Sequence, residues 1–317
     1  MKKLTALMLA LALALTCLTG CGKKDEPDAG EKGVIVTSFF PIYLFALNLT
    51  DGIDGLSVRC LTPPAGGCLH DYQLQVSDMK ALDRADIFLI NGAGMEAYLS
   101  GVMETFPQLK VVDASAGVHL LESCEEHDHG HDHEGEEDHH GHMHEMNAHI
   151  WLDAQNAIIM VRNLAEGLTE KYPEHAEQIL KNRNAYIARL EKLDVELRNG
   201  LSDLPHKDII TFHEAFPYFA QAYGLHVAAV LNQEPEDTLS PRALAHLCET
   251  VEALGDPPLF IEPQYEDAAA RTVAQETGAK VYVLDPVVTG PEGDVPLNYY
   301  EVVMRRNMAV LLEALGE

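Results

Sequence analysis

Positive charge is scarce in this sequence: 22 lysines and arginines stand against 50 aspartates and glutamates, a formal net charge of −28 with the histidines neutral. That balance repels nucleic acid and anionic lipid surfaces and attracts cations. The short signatures of several enzyme classes are also missing. No His-Glu-x-x-His helix is present, because His144-Glu145 is followed by a histidine only at His149, a spacing that does not bring both rings onto one helical face. There is no Gly-x-Ser-x-Gly elbow and no glycine-rich phosphate loop. The run from Leu4 to Leu18 is apolar but too short to span a bilayer comfortably.

What surrounds that run gives it a meaning. Lys2 and Lys3 precede it, and Leu18-Thr19-Gly20-Cys21 ends it with small residues before a cysteine. This is the pattern of a bacterial lipoprotein signal over residues 1–20, with Cys21 as the lipidated first residue of the mature chain. A transmembrane anchor that happens to contain cysteine is the alternative, and the length rule disfavours it. Residues 21–33 are then a loose polar tether, which puts the body outside the cytoplasm, in water beside the membrane. Apart from Cys21, the mature chain carries Cys60, Cys68, Cys124 and Cys248 in an oxidising compartment. Cys60 and Cys68 flank a Pro-Pro and Gly-Gly loop, and they read equally as a disulfide or as two buried thiols.

The body is long enough for two ordinary domains. Short apolar runs recur with helical stretches between them: Val34 to Phe39, Leu56 to Leu61, Ile87 to Ile90 and Val111 to Val112, then Ile209 to Phe212, Val227 to Leu231, Leu259 to Ile261 and Val281 to Leu284. Strands alternating with helices imply parallel sheets covered on both faces, and two sets of four imply two similar α/β lobes, over residues 34–152 and 201–317. Between them, residues 153–200 read as helix, opened by Asp153 as a cap and interrupted at Pro173. Past Pro173, Ile179, Leu180, Tyr186, Ile187, Leu190, Leu193 and Leu197 keep helical spacing until Asn199-Gly200 is expected to stop them. A helix of about 25 residues runs nearly 40 Å and would strut one lobe against the other.

One segment fits neither core. Residues 125–145, EEHDHGHDHEGEEDHHGHMHE, are almost wholly histidine, acid and glycine, with too little apolar surface to offset the entropy of ordering. Imidazole is the commonest neutral metal ligand, so His127, His129, His131, His133, His139, His140, His142 and His144 read as a weak, multivalent metal collector; the alternative is a solvated charge run.

A defined site needs ligands fixed by the fold. His70 follows the second apolar run across the loop containing Cys68, and His213 ends the run Ile209 to Phe212. Asp285 lies just past Val281 to Leu284, and His149 leaves the acidic loop just before Trp151. The first three positions follow carboxyl ends of expected parallel strands, where α/β sheets open their ligand crevice.

The segments HDYQLQVSD at His70, HIWLD at His149, TFHEAFPYFAQAYGL around His213 and VYVLDPV around Asp285 stand in one order with FIEPQY, ETGAKV and YYEVVMRRN. Together they resemble the metal-binding lipoproteins of ATP-driven (ABC) importers, in particular the zinc-uptake branch. The resemblance implies two lobes joined by a long helix, with the metal in the cleft between them and a histidine-rich loop near its entrance. It implies that His70, His149, His213 and Asp285 are the ligands, and that the partners are a divalent metal ion and a membrane permease. In the manganese branch the position matching His213 is a glutamate. This sequence departs from the family in Gln73-Leu74, where a proline often follows the aromatic, and in Cys60 and Cys68.

Three imidazoles and a carboxylate offer zinc four donors of borderline softness in a tetrahedron. The expected function is extracytoplasmic capture of Zn2+ as transported cargo by a monomeric binding protein. A manganese-preferring protein of the same type, an extracellular metal buffer and, last, a zinc hydrolase with Glu214 as its base are the alternatives.

Overall fold

A computed structural model describes residues 33–62, 72–123, 146–231, 240–255, 257–265, 268–291 and 293–316. The leader 1–20, Cys21, all but the last residue of the tether, Cys68, His70, Cys124 and the loop 125–145 lie outside the described residues.

The first half contains β1 (Gly33–Thr37), α1 (Phe40–Thr50), β2 (Leu56–Cys60), α2 (Val76–Asp83), β3 (Ile87–Ile90), α3 (Leu99–Thr105) and β4 (Lys110–Asp113). Next come α4 (Ala154–Lys171) and α5 (Ala176–Leu201). The second half contains β5 (Asp208–Thr211), α6 (Pro217–Tyr223), β6 (His226–Val230), α7 (Pro241–Ala253), β7 (Leu259–Ile261), α8 (Ala268–Thr277), β8 (Val281–Val283) and α9 (Tyr299–Leu315). Both four-stranded sheets are parallel, and their orders, β2-β1-β3-β4 and β6-β5-β7-β8, are the same topology used twice. The expectation of two similar α/β lobes with a long joining helix therefore holds. In each sheet the chain reverses its winding between the first and third strands of the set. The gap at their carboxyl ends is the natural ligand crevice.

Alternation along the strands explains how the lobes hold together. In β3, Ile87 and Leu89 point into one apolar cluster while Phe88 and Ile90 point into another. In the second sheet Ile209 and Phe260 join that same first cluster, whereas Ile210 and Leu259 join a third. The inner faces of both sheets thus share one core with α4, α5 and α9, so the lobes are not separately folded units. Polar contacts reinforce the join. Arg189 on α5 pairs with Glu301 on α9 at 2.7 Å and also donates to Asn48 on α1, whose Nδ2 donates to the Leu297 carbonyl at 2.9 Å.

Asp153 caps α4 as expected, accepting Gln155 N–H at 2.8 Å. Pro173–His175 form a 3₁₀ turn before α5. The expected stop at Asn199-Gly200 is corrected: α5 continues to Leu201. Gly200 stays helical and serves packing, since the Met308 side chain of α9 occupies the place a Cβ would take. Gly33, expected to end the tether, begins β1. Cys60 is a free thiol, its Sγ 3.9 Å from Thr62 Oγ1, and Cys68, its candidate disulfide partner, lies outside the described residues. Among the described residues no helix is long and apolar enough to cross a membrane.

Candidate metal centre

Strand register brings the functional side chains of the second lobe to one level. Thr211 of β5 pairs with Phe260 of β7, so His213 and Glu262, each two residues further on, emerge side by side at the switch point. Ile261 pairs with Val283 of β8, and Asp285 follows two residues later. His213 Nδ1 lies 2.8 Å from Glu262 Oε1, with both side chains buried. A second oxygen of Glu262 accepts from Gln264 Nε2, and the Tyr265 ring stands edge-on to the imidazole at 5.8 Å between centroids.

His149 reaches the same place from the first lobe's side. It precedes the 3₁₀ turn Ile150–Leu152 and is 2% exposed. Its ring centroid is 5.0 Å from that of His213 and 5.2 Å from that of Trp151. Asn147 organises this approach. Its Oδ1 accepts His149 N–H at 3.0 Å and lies 3.3 Å from His149 Nδ1, while its Nδ2 donates to the Glu214 carbonyl at 2.8 Å. Tyr218 OH donates to the Asn147 carbonyl and accepts Leu121 N–H. Glu214, considered above as a hydrolytic base, is buried and accepts from Ser123 Oγ at 2.5 Å, which ties it into packing.

The first sheet supports His149 through its own switch point. Asn91, directly after β3, donates through Nδ2 to the carbonyl of Ala148 at 3.0 Å. Asn91 is itself held by Glu96, whose carboxyl accepts the N–H groups of Asn91 at 2.8 Å and Gly92 at 3.1 Å. The turn between them places Gly92, Ala93 and Gly94 all at positive φ. Burial pushes the Glu96 carboxyl up to about 7, against the pull of those N–H groups.

Asp285 sits in a strained loop. Val287, a β-branched residue, has φ of 63°, which costs energy and persists only where surroundings enforce it. Here Asp285 Oδ1 accepts Val287 N–H at 2.8 Å, and Trp151 Nε1 donates to the Pro286 carbonyl at 2.7 Å. Asn307 of α9 brackets the Asp285 backbone, accepting its N–H and donating to its carbonyl. Burial raises the Asp285 carboxyl above its ordinary range and Glu262 adds to the effect, while Val287 N–H and Arg306 oppose it.

A raised folded-state carboxyl means that, at neutral pH, the ionised side chain weakens the metal-free fold. Asp285→Asn keeps the oxygen that accepts Val287 N–H and removes that charge. Without metal, the variant is expected to melt at a higher temperature than the wild type, and to bind metal more weakly. Thermal unfolding in the presence of a chelator checks this; a lower melting temperature would contradict it.

Of the four ligand candidates, His149 and His213 are paired ring to ring, Asp285 remains bonded to Val287 in the loop after β8, and His70 is outside the described residues. Among the described residues no three His, Cys, Asp or Glu side chains yet converge to hold an ion. Sequence reading gave no role to Asn147, Glu262, Asn91 or Glu96. Glu262 lay within its reach, since it follows β7 as His213 and Asp285 follow β5 and β8.

Comparison with known proteins shows the family of the chain. The Streptococcus pneumoniae zinc-binding lipoprotein AdcA is 32% identical over 314 residues, which cover 98% of this chain and 60% of AdcA. The chain thus spans about 60% of the length of the curated AdcA relatives it matches. The Brucella abortus high-affinity zinc uptake system protein ZnuA is 31% identical over 316 residues, covering 90% of this chain and 92% of that protein. The crystal structure of Zn(II)-bound AdcA from Streptococcus pneumoniae superposes with a TM-score of 0.74 at 29% identity, covering 90% of this chain and 58% of that one. The family model for the periplasmic zinc-uptake complex component A, ZnuA, matches residues 35–314, and the chain belongs to that family.

Proposed function

We propose that this protein captures Zn2+ outside the cytoplasm and delivers it to a membrane ABC permease, as a monomer anchored through lipid on Cys21. His70, His149, His213 and Asp285 are the ligands in this reading, and the zinc is cargo. The observation that carries it is the pairing of two buried imidazoles, His149 and His213, whose Nδ1 atoms each face an oxygen of another side chain. Imidazoles held that way present Nε2 as donor to a shared ion, the arrangement zinc-binding histidines adopt. The anchor is supported by Lys2, Lys3, the run Leu4 to Leu18 and Cys21, and by the name lipoprotein carried by AdcA. A binding role is favoured over hydrolysis because Glu214 is engaged by Ser123.

Zinc titration of the protein and of a variant lacking residues 125–145 tests the reading. The full protein is expected to bind one tight equivalent and several weak ones, and the deletion to keep the tight one and lose weak ones. Abolition of tight binding by the deletion would mean that the loop supplies a primary ligand. Weak sites alone in the full protein would mean a metal buffer.

A further inference from the structure

We propose that Glu262 is a positioning residue for the metal: it fixes His213 in one tautomer with Nε2 as the donor and makes that imidazole the stronger of the two. The inference rests on the reading of His213 as a ligand.

Glu262 and His213 stand level at the carboxyl ends of paired strands, and their contact joins two side chains each nearly excluded from water. A carboxylate only accepts hydrogen bonds, so the ring nitrogen facing it must carry the proton. The lone pair is thereby assigned to Nε2 before any metal arrives. Gln264 on the second oxygen and Tyr265 against the ring restrict rotation of the pair. A negative charge on the far side of an imidazole also raises its basicity toward a metal.

His149 is treated differently. Its Nδ1 faces the neutral amide oxygen of Asn147 at 3.3 Å, and that oxygen also accepts the His149 backbone N–H. The two imidazoles therefore differ in donor strength although they meet in one place.

Zinc affinity is to be measured by chelator competition for wild type, Glu262→Gln, Glu262→Ala, His213→Ala and the His213→Ala/Glu262→Ala double variant, with long-range proton–nitrogen NMR of the His213 ring. Glu262→Ala is expected to weaken zinc by about 10–100-fold and to let His213 sample both tautomers. Glu262→Gln, which keeps an acceptor but loses the charge, should fall between wild type and alanine. Because Glu262 acts through His213, the double variant should bind no more weakly than His213→Ala alone. Wild-type affinity in Glu262→Ala with weakened binding in His213→Ala would overturn this inference and leave the proposed site standing, as would independent, additive losses in the double variant. Wild-type affinity in His213→Ala would overturn both.

Discussion

His213→Ala is expected to weaken zinc binding by more than about 100-fold, since loss of a residue that merely supports a ligand already costs about 10–100-fold. The imidazole is buried, fixed at Nδ1 by Glu262 and paired with His149 across the cleft, so solvent cannot supply an equivalent donor in its place. His213→Glu should behave differently. A carboxylate oxygen suits manganese and an imidazole suits zinc, so this variant should lose zinc affinity while narrowing the margin over manganese. His213→Ala should weaken both metals. Calorimetric titrations of zinc and manganese into the three proteins separate these outcomes. If His213 only packed beneath the crevice, both substitutions would change stability and leave the zinc-to-manganese ratio as in wild type.

Trp151→Ala is expected to destabilise the metal-free protein by about 3–5 kcal/mol, the usual cost of deleting a large buried aromatic. Trp151 is fully buried, and its ring meets Phe39 edge to face at 5.0 Å. Its Nε1 donates to the Pro286 carbonyl at 2.7 Å, and its own carbonyl accepts Tyr300 OH at 2.7 Å. One residue thus joins the first lobe, the Asp285 loop and α9. Truncation leaves a cavity and also deprives the Pro286 carbonyl of its partner. At about 2–4 °C per kcal/mol for a protein of this size, melting should fall by roughly 6–20 °C. Trp151→Phe, which keeps most of the volume and loses the N–H, should fall by less. Thermal unfolding with chelator present checks both, and a loss under about 1 kcal/mol in the alanine variant would contradict the account.

Much of this architecture was legible because parallel strands buried on both faces are short apolar runs. Ile87 to Ile90 and Leu259 to Ile261 were read with their observed limits, and the other six runs differ by a residue or two at their ends. The end of α5 was misread because a glycine after asparagine is locally a stop signal. The helix nonetheless runs through Gly200 to Leu201, and the missing Cβ leaves room for the Met308 side chain of α9, over 100 residues away in sequence. The placement of His213 and Asp285 just past strand carboxyl ends was legible from the apolar runs that precede them. Glu262 and Asn147 were not singled out, for a physical reason. A lone acid or amide in sequence usually faces water, and only strand register and chain reversal bring these two against imidazole nitrogens. The partnership of Asn91 with Ala148 is a contact between segments 57 residues apart, and no local pattern announces it.

Zinc-edge X-ray absorption of the one-to-one zinc complex, in wild type and in His213→Ala, tests the central claim most directly. The account predicts a wild-type shell of nitrogen and oxygen at about 2.0–2.1 Å, with the scattering of several imidazoles and no sulfur at about 2.3 Å. In His213→Ala the imidazole contribution should drop by one ring. An imidazole contribution unchanged by the substitution, or a sulfur shell in the wild type, would place the tight site elsewhere in the chain.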